Sequence, residues 1–167
     1  MKKIIIIALL IAPISIFAQK FGHFNTQDII SVMPEYAAAE AEVQALGQQY
    51  QKELQKMEEE FNNKVKEFQA MQDSASVPEA ILKRHSQTLQ ALRDNFLQTQ
   101  ESAQEDIDKL RTEKLTAIQQ KILTAVEEIG KAGGYVYIMD KSAGIPYVST
   151  TLSTDVTAEL KAKLGIK

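Results

Sequence analysis

The stretch from residue 35 to residue 130 constrains the fold of this chain most, because it is rich in Gln, Glu, Lys and Ala and contains almost no helix breaker. That composition is typical of long paired helices. Apolar residues recur at steps of three and four from position 43 to position 68 and again, less regularly, from position 82 to position 129. Pro78 lies in the segment that separates these two halves. The sequence therefore predicts a long antiparallel helical hairpin whose tip lies at residues 71–79.

The pairing of the two predicted helices follows from the position of the turn. If the turn is centred near Ala75, residues equally distant from it face each other, which places Tyr50 near Glu101. Residues 98–106 contain Ala103 as their only apolar residue. Because packing needs apolar side chains at the seam, we expect this part of the second helix to pack weakly and to be flexible.

Short β signals flank the hairpin. Residues 21–24 precede it, and residues 135–140 and 145–148 follow it, with a loop at 141–144 that suits a β-hairpin. The predicted strands would form a small β head at one end of the hairpin. Three short strands cannot form a stable independent sheet in water, so this head needs strands from other copies of the chain. The sequence therefore predicts a mainly α protein with a small β head, and it predicts oligomerisation.

Two further helices belong to the predicted head. One is a short helix after the first strand, capped by Asn25 or Thr26, and the other is a final helix at residues 157–164, capped by Asp155 or Thr157. Asn, Thr and Asp are the residues whose side-chain oxygens accept from the first free N–H groups of a helix.

The first eighteen residues are predicted to be a cleaved secretory signal. Lys2 and Lys3 form a positive segment, residues 4–12 are an uninterrupted apolar run, and the signal ends near Ala18. A transmembrane anchor is the alternative, but it needs about 20 apolar residues and this run is shorter. We therefore expect export, cleavage near Ala18 and no stable insertion in the membrane.

Several classes of chemistry are excluded by composition. The chain has no cysteine, so disulfides and thiolate sites cannot form. Its two histidines, His23 and His85, lie far apart in the sequence, and neither has a histidine or cysteine beside it at a metal-ligand spacing. No phosphate-binding loop of the G-x-x-x-x-G-K-[ST] kind is present. We therefore assign no catalytic residue, no cofactor and no metal, and we predict that the protein is not an enzyme.

The charge of the mature chain disfavours nucleic-acid binding. Loss of Lys2 and Lys3 lowers the basic residues from 19 to 17 against 22 acidic ones, a net charge of −5. Residues 35–130 carry 11 basic and 18 acidic side chains, so the acidity lies in the predicted hairpin. A nucleic-acid binder shows a basic face instead.

The two ends of the mature chain resemble a known family. The sequence Phe-Gly-His-Phe-Asn-Thr-Gln at 21–27, the sequence Gly-Tyr-Val-Tyr-Ile-Met-Asp-Lys-Ser-Ala-Gly at 134–144 and the Asp-Val-Thr at 155–157 resemble the Skp/OmpH family of periplasmic chaperones. The resemblance implies a homotrimer with a β head formed by three chains and three helical tentacles around a cavity. It also implies a periplasmic holdase that binds unfolded outer-membrane proteins without ATP.

The resemblance divides the chain into three parts. Residues 1–18 are the signal peptide, residues 19–34 and 131–167 form the head and trimerisation domain, and residues 35–130 form the hairpin inserted between strands of the head. A passive coiled-coil spacer or adaptor of the cell envelope is the alternative function, and the sequence does not separate the two.

The apolar residues that recur at steps of three and four along each helix form a pairing stripe. Candidate client-binding residues are apolar residues that lie outside this stripe or at the tip. Stripe residues such as Phe61 and Phe96 are expected to form the seam between the helices. The candidates have no obvious partner within the hairpin, and exposed apolar groups are what a promiscuous binder uses. They are Met71, Val77, Ile81 and Leu97.

Overall fold

The structure is a computed structural model that describes residues 19–74 and 76–166. The predicted signal peptide lies outside these residues. The elements in chain order are β1 (Lys20–Phe24), α1 (Thr26–Ile30), α2 (Pro34–Gln72), α3 (Glu79–Gly133), β2 (Tyr135–Asp140), a 3₁₀ turn (Lys141–Ala143), β3 (Ser153–Asp155) and α4 (Thr157–Lys163). The prediction of a mainly α protein with a small sheet is confirmed.

The described chain forms two compact units. The sheet unit comprises residues 19–29 and 123–166, and the helix-pair unit comprises residues 30–74 and 76–122. Each unit has its own buried apolar residues. The assignment of one part to trimerisation and of the other to client binding stays a prediction.

The helix-pair unit places α2 and α3 side by side and antiparallel. Ion pairs join Glu35 to Lys121 and, at 2.5 Å, Glu42 to Lys114. As the residue numbers rise along α2, those of the partners on α3 fall, which is the order of an antiparallel pair. Pro34 begins α2, where its missing N–H costs no helical hydrogen bond.

The predicted register of this pair was wrong. Tyr50 donates its hydroxyl hydrogen bond to Asp106 over 2.5 Å, and not to Glu101. Side chains in a helix lean toward the N-terminus of their own helix. In an antiparallel pair the two sets of side chains therefore lean in opposite directions. A long side chain consequently meets a partner several residues further along α3 than a count from the turn suggests.

The core of the helix-pair unit is narrow. Its buried apolar side chains include Met33, Ala39, Val43, Ile118 and Ile122. Nearer the tip the stripe residues, such as Phe61, Phe68 and Leu89, are only half-buried. Two helices can bury one face each and no more, so the seam supplies the buried apolar side chains of α2 and α3, and Met33 adds to them just before α2 begins.

The sheet has the order β2-β1-β3, and both neighbours run parallel to β1. The prediction of a third strand at 145–148, joined to β2 as a hairpin, was therefore wrong. Pro146 has no N–H to donate, and the real third strand is Ser153–Asp155. Residues 141–152 connect β2 to β3, which runs parallel to it on the other side of β1, and a connection between parallel strands must be long.

Asp140 fixes the point where β2 ends and α1 begins. Its carboxylate accepts from the backbone N–H and the hydroxyl of Thr26, at 3.1 and 2.6 Å. It also accepts from the backbone N–H and the hydroxyl of Ser142, at 2.9 and 2.7 Å. Burial alone would raise the pKa of Asp140, but these hydrogen bonds outweigh it and hold the pKa below its ordinary value.

The predicted cap of α1 is confirmed, because Asn25 accepts from the N–H of Gln27 at 3.0 Å. The predicted cap of α4 was wrong: Val156 occupies the N-cap position and makes no side-chain cap. Asp155, one residue earlier, accepts from the N–H of Thr157 at 2.9 Å. Helix α4 packs through the fully buried Leu160.

We expect Asp140→Ala to lower the free energy of unfolding by about 2–3 kcal/mol, because it removes a charged acceptor of four hydrogen bonds. Urea denaturation at pH 7 and one fixed protein concentration measures this. Ser142→Ala is the control. It removes a single hydroxyl donor and should cost about 1 kcal/mol or less.

The effect of Asp140→Ala should depend on pH. A carboxyl group whose pKa is lowered by folding stabilises the protein above its unfolded pKa of about 3.9, and this stabilisation is lost as the pH falls through the folded pKa. The difference between the wild type and Asp140→Ala should therefore narrow below about pH 4. A difference that stays constant down to pH 2 would contradict this account.

Candidate functional site

The four predicted client-binding residues do not form one cluster. Leu97 is 51% exposed and Ile81 is 36% exposed, whereas Met71 and Val77 are half-buried. Met71, Val77 and Ile81 lie at or beside the turn between α2 and α3. Leu97 lies sixteen residues beyond Ile81 on α3, which is about 24 Å at 1.5 Å per residue. Met71, Val77 and Ile81 therefore form a tip group, and the exposed Leu97 lies apart from this group on α3.

An open cavity of about 580 Å³ lies between α2 and α3 within the helix-pair unit. We call it the mid-pair groove. Its apolar lining residues are buried or half-buried and form the floor, whereas its glutamines are exposed and form the rim. The lining residues are Gly47, Tyr50, Gln51, Leu54, Gln55, Glu58, Phe96, Gln100, Ala103, Gln104 and Ile107.

Small residues line the groove on both helices. Ala103 is buried on α3, in the segment where the sequence predicts weak packing. Gly47 contributes no side chain on α2, and a β-carbon built there would lie 3.9 Å from Ile107. Gly47 is not among the site residues predicted from the sequence. A glycine inside a 39-residue helix is the signal that marks it, because glycine destabilises a helix interior.

A second cavity of about 450 Å³ continues the open space along the pair. It is lined by Glu58, Phe61, Asn62, Arg93 and Phe96, so it shares Glu58 and Phe96 with the mid-pair groove. Phe61 and Phe96 belong to the pairing stripe. Both also border space that a ligand can enter.

The charges around the mid-pair groove are predominantly negative. Glu58 is the only charged residue among the described residues that line it, and this carboxylate makes no ion pair within residues 19–74 and 76–166.

Elsewhere in the groove lining, the hydrogen bond that the Tyr50 hydroxyl donates to Asp106 raises the pKa of Tyr50. At the start of α2, the pairing with Lys121 lowers the pKa of Glu35.

The sheet unit places a serine, a histidine and an aspartate close together, and the sequence did not predict this cluster. His23 is buried, its Nδ1 lies 2.8 Å from the Ser153 hydroxyl, and its Nε2 lies 3.7 Å from Asp155. The latter distance exceeds hydrogen-bond length, so the carboxylate does not orient the ring as catalysis requires. The cluster instead ties β1 to β3. Because 130 residues separate His23 from Ser153, no local pattern predicts it.

The sheet unit also exposes large apolar side chains. Val136, Tyr137 and Met139 on the edge strand β2 are 58%, 49% and 44% exposed. Tyr147 and Leu152, between β2 and β3, are more than three-quarters exposed. An edge strand with exposed apolar residues is a surface that pairs readily with another chain.

Two further findings concern the described part of the chain. Among residues 19–74 and 76–166, no group of three or more His, Asp or Glu side chains is placed to hold a metal ion. No helix in those ranges combines the length and the apolar character needed to cross a membrane.

Comparison with known proteins gives the family and the fold. A sequence model of the family described as outer membrane protein (OmpH-like) matches residues 20–164. A search of curated proteins finds no match. A crystal structure of an OmpH-like outer membrane chaperone candidate from Caulobacter crescentus CB15 has a TM-score of 0.73 and 18% identity, over 87% of this chain and 83% of that one.

We expect Gly47→Ala to raise the free energy of unfolding by about 0.5–1 kcal/mol, because alanine favours the helix interior and its β-carbon has room. Thermal or urea unfolding measures this. Gly22→Ala is the control, since its β-carbon would lie 2.9 Å from Ile138 Cγ1 in β2. That variant should be destabilised. If Gly47→Ala is destabilised as well, the described opening beside Gly47 is wrong.

Proposed function

The chain belongs to the OmpH-like outer membrane protein family, and on this premise we propose that it is an ATP-independent periplasmic holdase that binds unfolded outer-membrane proteins and prevents their aggregation. The family match carries the proposal, because it covers almost the whole described chain and agrees with the resemblance found in the sequence. The similar fold of the Caulobacter protein supports it.

The surface of the helix-pair unit supports this function in physical terms. A binder of many unfolded sequences needs apolar groups that solvent can reach, distributed so that many weak contacts add up. Ile81 and Leu97 are exposed, and the mid-pair groove has an apolar floor. A passive spacer or adaptor, the alternative function, has no use for such groups.

The energy for binding comes from apolar contact in this proposal. No phosphate-binding loop is present in the sequence, so no ATP-driven step is included. The excess of acidic residues in 35–130 argues against charge attraction as the main force on acidic clients. Release then depends on the weakness of each single contact.

Assembly into a homotrimer through the sheet unit is part of the proposal. The three strands are only five, six and three residues long, and edge strand β2 exposes Val136, Tyr137 and Met139, which another copy would cover. Residues 19–34 and 131–167 form the trimerisation domain in this account, and residues 35–130 form the arm. Sedimentation equilibrium of the mature protein should give three times the chain mass.

The mature protein should suppress the aggregation of a urea-unfolded outer-membrane β-barrel protein after dilution, without ATP, and light scattering measures this. Suppression should persist between about 50 and 300 mM salt, because salt screens charge attraction but leaves apolar contacts intact. A steep loss of suppression across that range would contradict an apolar mechanism. No suppression at any salt concentration would favour the spacer.

Simultaneous substitution of the four predicted client-binding residues by Ser or Gln should weaken client affinity by about tenfold, because each substitution removes part of an apolar contact that is buried in the complex. The four residues are Met71, Val77, Ile81 and Leu97. Stability and oligomer mass should stay nearly unchanged, because Ile81 and Leu97 are exposed and Met71 and Val77 lie at or beside the turn, whereas the pairing residues lie along the seam. Fluorescence titration with a labelled client measures the affinity.

The control for this variant is the pair Phe68→Ser and Leu89→Ser, which changes half-buried stripe residues. We expect it to lower the free energy of unfolding by about 1.5–3 kcal/mol per substitution. If the variant with all four substitutions loses stability and keeps its client affinity, the four substituted residues belong to the core and are not client contacts.

A further inference from the structure

We propose that the mid-pair groove binds a short apolar segment of the client that carries a lysine or arginine beside its apolar residues. This inference rests on the proposed holdase function and specifies one binding site and its chemistry. The site is separate from the tip group of Met71, Val77 and Ile81.

The floor of the groove provides the apolar contact. Ala103 is buried, and Leu54, Phe96 and Ile107 are half-buried, so these four side chains present one apolar surface between the helices. The volume of about 580 Å³ falls within the range of small-ligand pockets, about 300–1,000 Å³. An extended stretch of a few residues can therefore place apolar side chains in it.

The rim of the groove provides hydrogen bonds that do not depend on the client sequence. Gln51 on α2 and Gln100 on α3 make no hydrogen bond within the described ranges, 19–74 and 76–166. Each amide offers both donors and an acceptor. An extended polypeptide presents the complementary N–H and C=O groups along its backbone, whatever its side chains are.

The charges select a cation. Glu58 is the only charged lining residue, and it lies beside the apolar floor without an ion-pair partner among the described residues. The flanking segments 47–62 and 93–107 together carry 3 basic and 8 acidic residues. A lysine or arginine next to the bound apolar residues would meet this negative potential, whereas a glutamate would be repelled.

Gly47 keeps the groove open. The structure leaves room for a β-carbon at this position, so close packing does not require glycine there. Glycine nevertheless weakens the helix interior, because it loses more conformational freedom on folding than alanine. Its effect in the folded chain is a wider groove, which fits a site that must admit another polypeptide.

Labelled ten-residue peptides test this proposal by fluorescence anisotropy with the full mature protein. One peptide alternates aromatic and aliphatic residues with lysine, and a second has glutamate at each lysine position. The wild type should bind the lysine peptide at least about tenfold more tightly than the glutamate peptide. Equal affinities would overturn the proposal.

Filling the groove should remove this binding. Gly47→Leu fills it from α2, and Gln100→Tyr fills it from α3, which keeps the test valid if one of the two variants folds poorly. Each should weaken lysine-peptide binding by about tenfold. Ala45→Leu introduces the same leucine side chain at an exposed position of α2 outside the groove lining and should leave the affinity within about twofold. Unchanged binding in both filled variants would overturn the proposal.

Glu58→Gln tests the charge selection. It should narrow the preference for lysine over glutamate by about two- to fivefold, as expected for one exposed charge pair. Glu60→Gln removes the same charge from an exposed residue outside the groove lining and should change the preference less. An equal effect of the two variants would overturn the role of Glu58.

The aggregation assay separates this proposal from the proposed function. If the wild type suppresses aggregation but the filled variants bind the lysine peptide normally, the holdase function stands and the groove is rejected. If the wild type binds the lysine peptide in a Gly47-dependent way but does not suppress aggregation, the groove stands and the holdase function is rejected. A change in oligomer mass in the filled variants, with unchanged peptide binding, would assign the groove to a second copy.

Discussion

The pairing of α2 with α3 is the contact on which the helix-pair unit depends. Two helices bury only the faces that they turn to each other, so every apolar residue outside the seam stays accessible. Small residues along the seam, such as Gly47 and Ala103, reduce the burial further and open the space between the helices. A unit built in this way keeps apolar surface in contact with solvent, which is what a binder of unfolded chains requires.

The sheet unit depends on a different kind of contact. Its strands are short and parallel, and polar side chains connect segments that are far apart in the sequence. Asp140 accepts four hydrogen bonds from Thr26 and Ser142, and His23 contacts Ser153 across the sheet. These contacts fix the ends of the strands, while the apolar side chains of β2 stay exposed. The proposed division of tasks, with assembly through the sheet unit and client binding by the helix-pair unit, rests on this difference between the units.

The sequence predicts the parts of this fold that have local signals. The long helices follow from composition and period, and the cap at Asn25 follows from its side chain. Strand β3 was missed because it is three polar residues long and has no alternating pattern. The partner of Tyr50 was predicted as Glu101 and is Asp106, because a count of residues from the turn does not include the tilt of side chains toward the N-terminus of their helix. The mid-pair groove has small residues of both helices in its lining, and a single sequence does not show that they line the same space.

Hydrogen exchange of the mature protein, alone and bound to an unfolded outer-membrane β-barrel protein, tests the central claim most directly. The account predicts that backbone amides of segments 47–62 and 93–107, and of the tip, exchange at least about threefold more slowly in the complex, while those of β1, β2 and β3 change little. Slower exchange confined to the sheet unit, with none in the helix-pair unit, would contradict it.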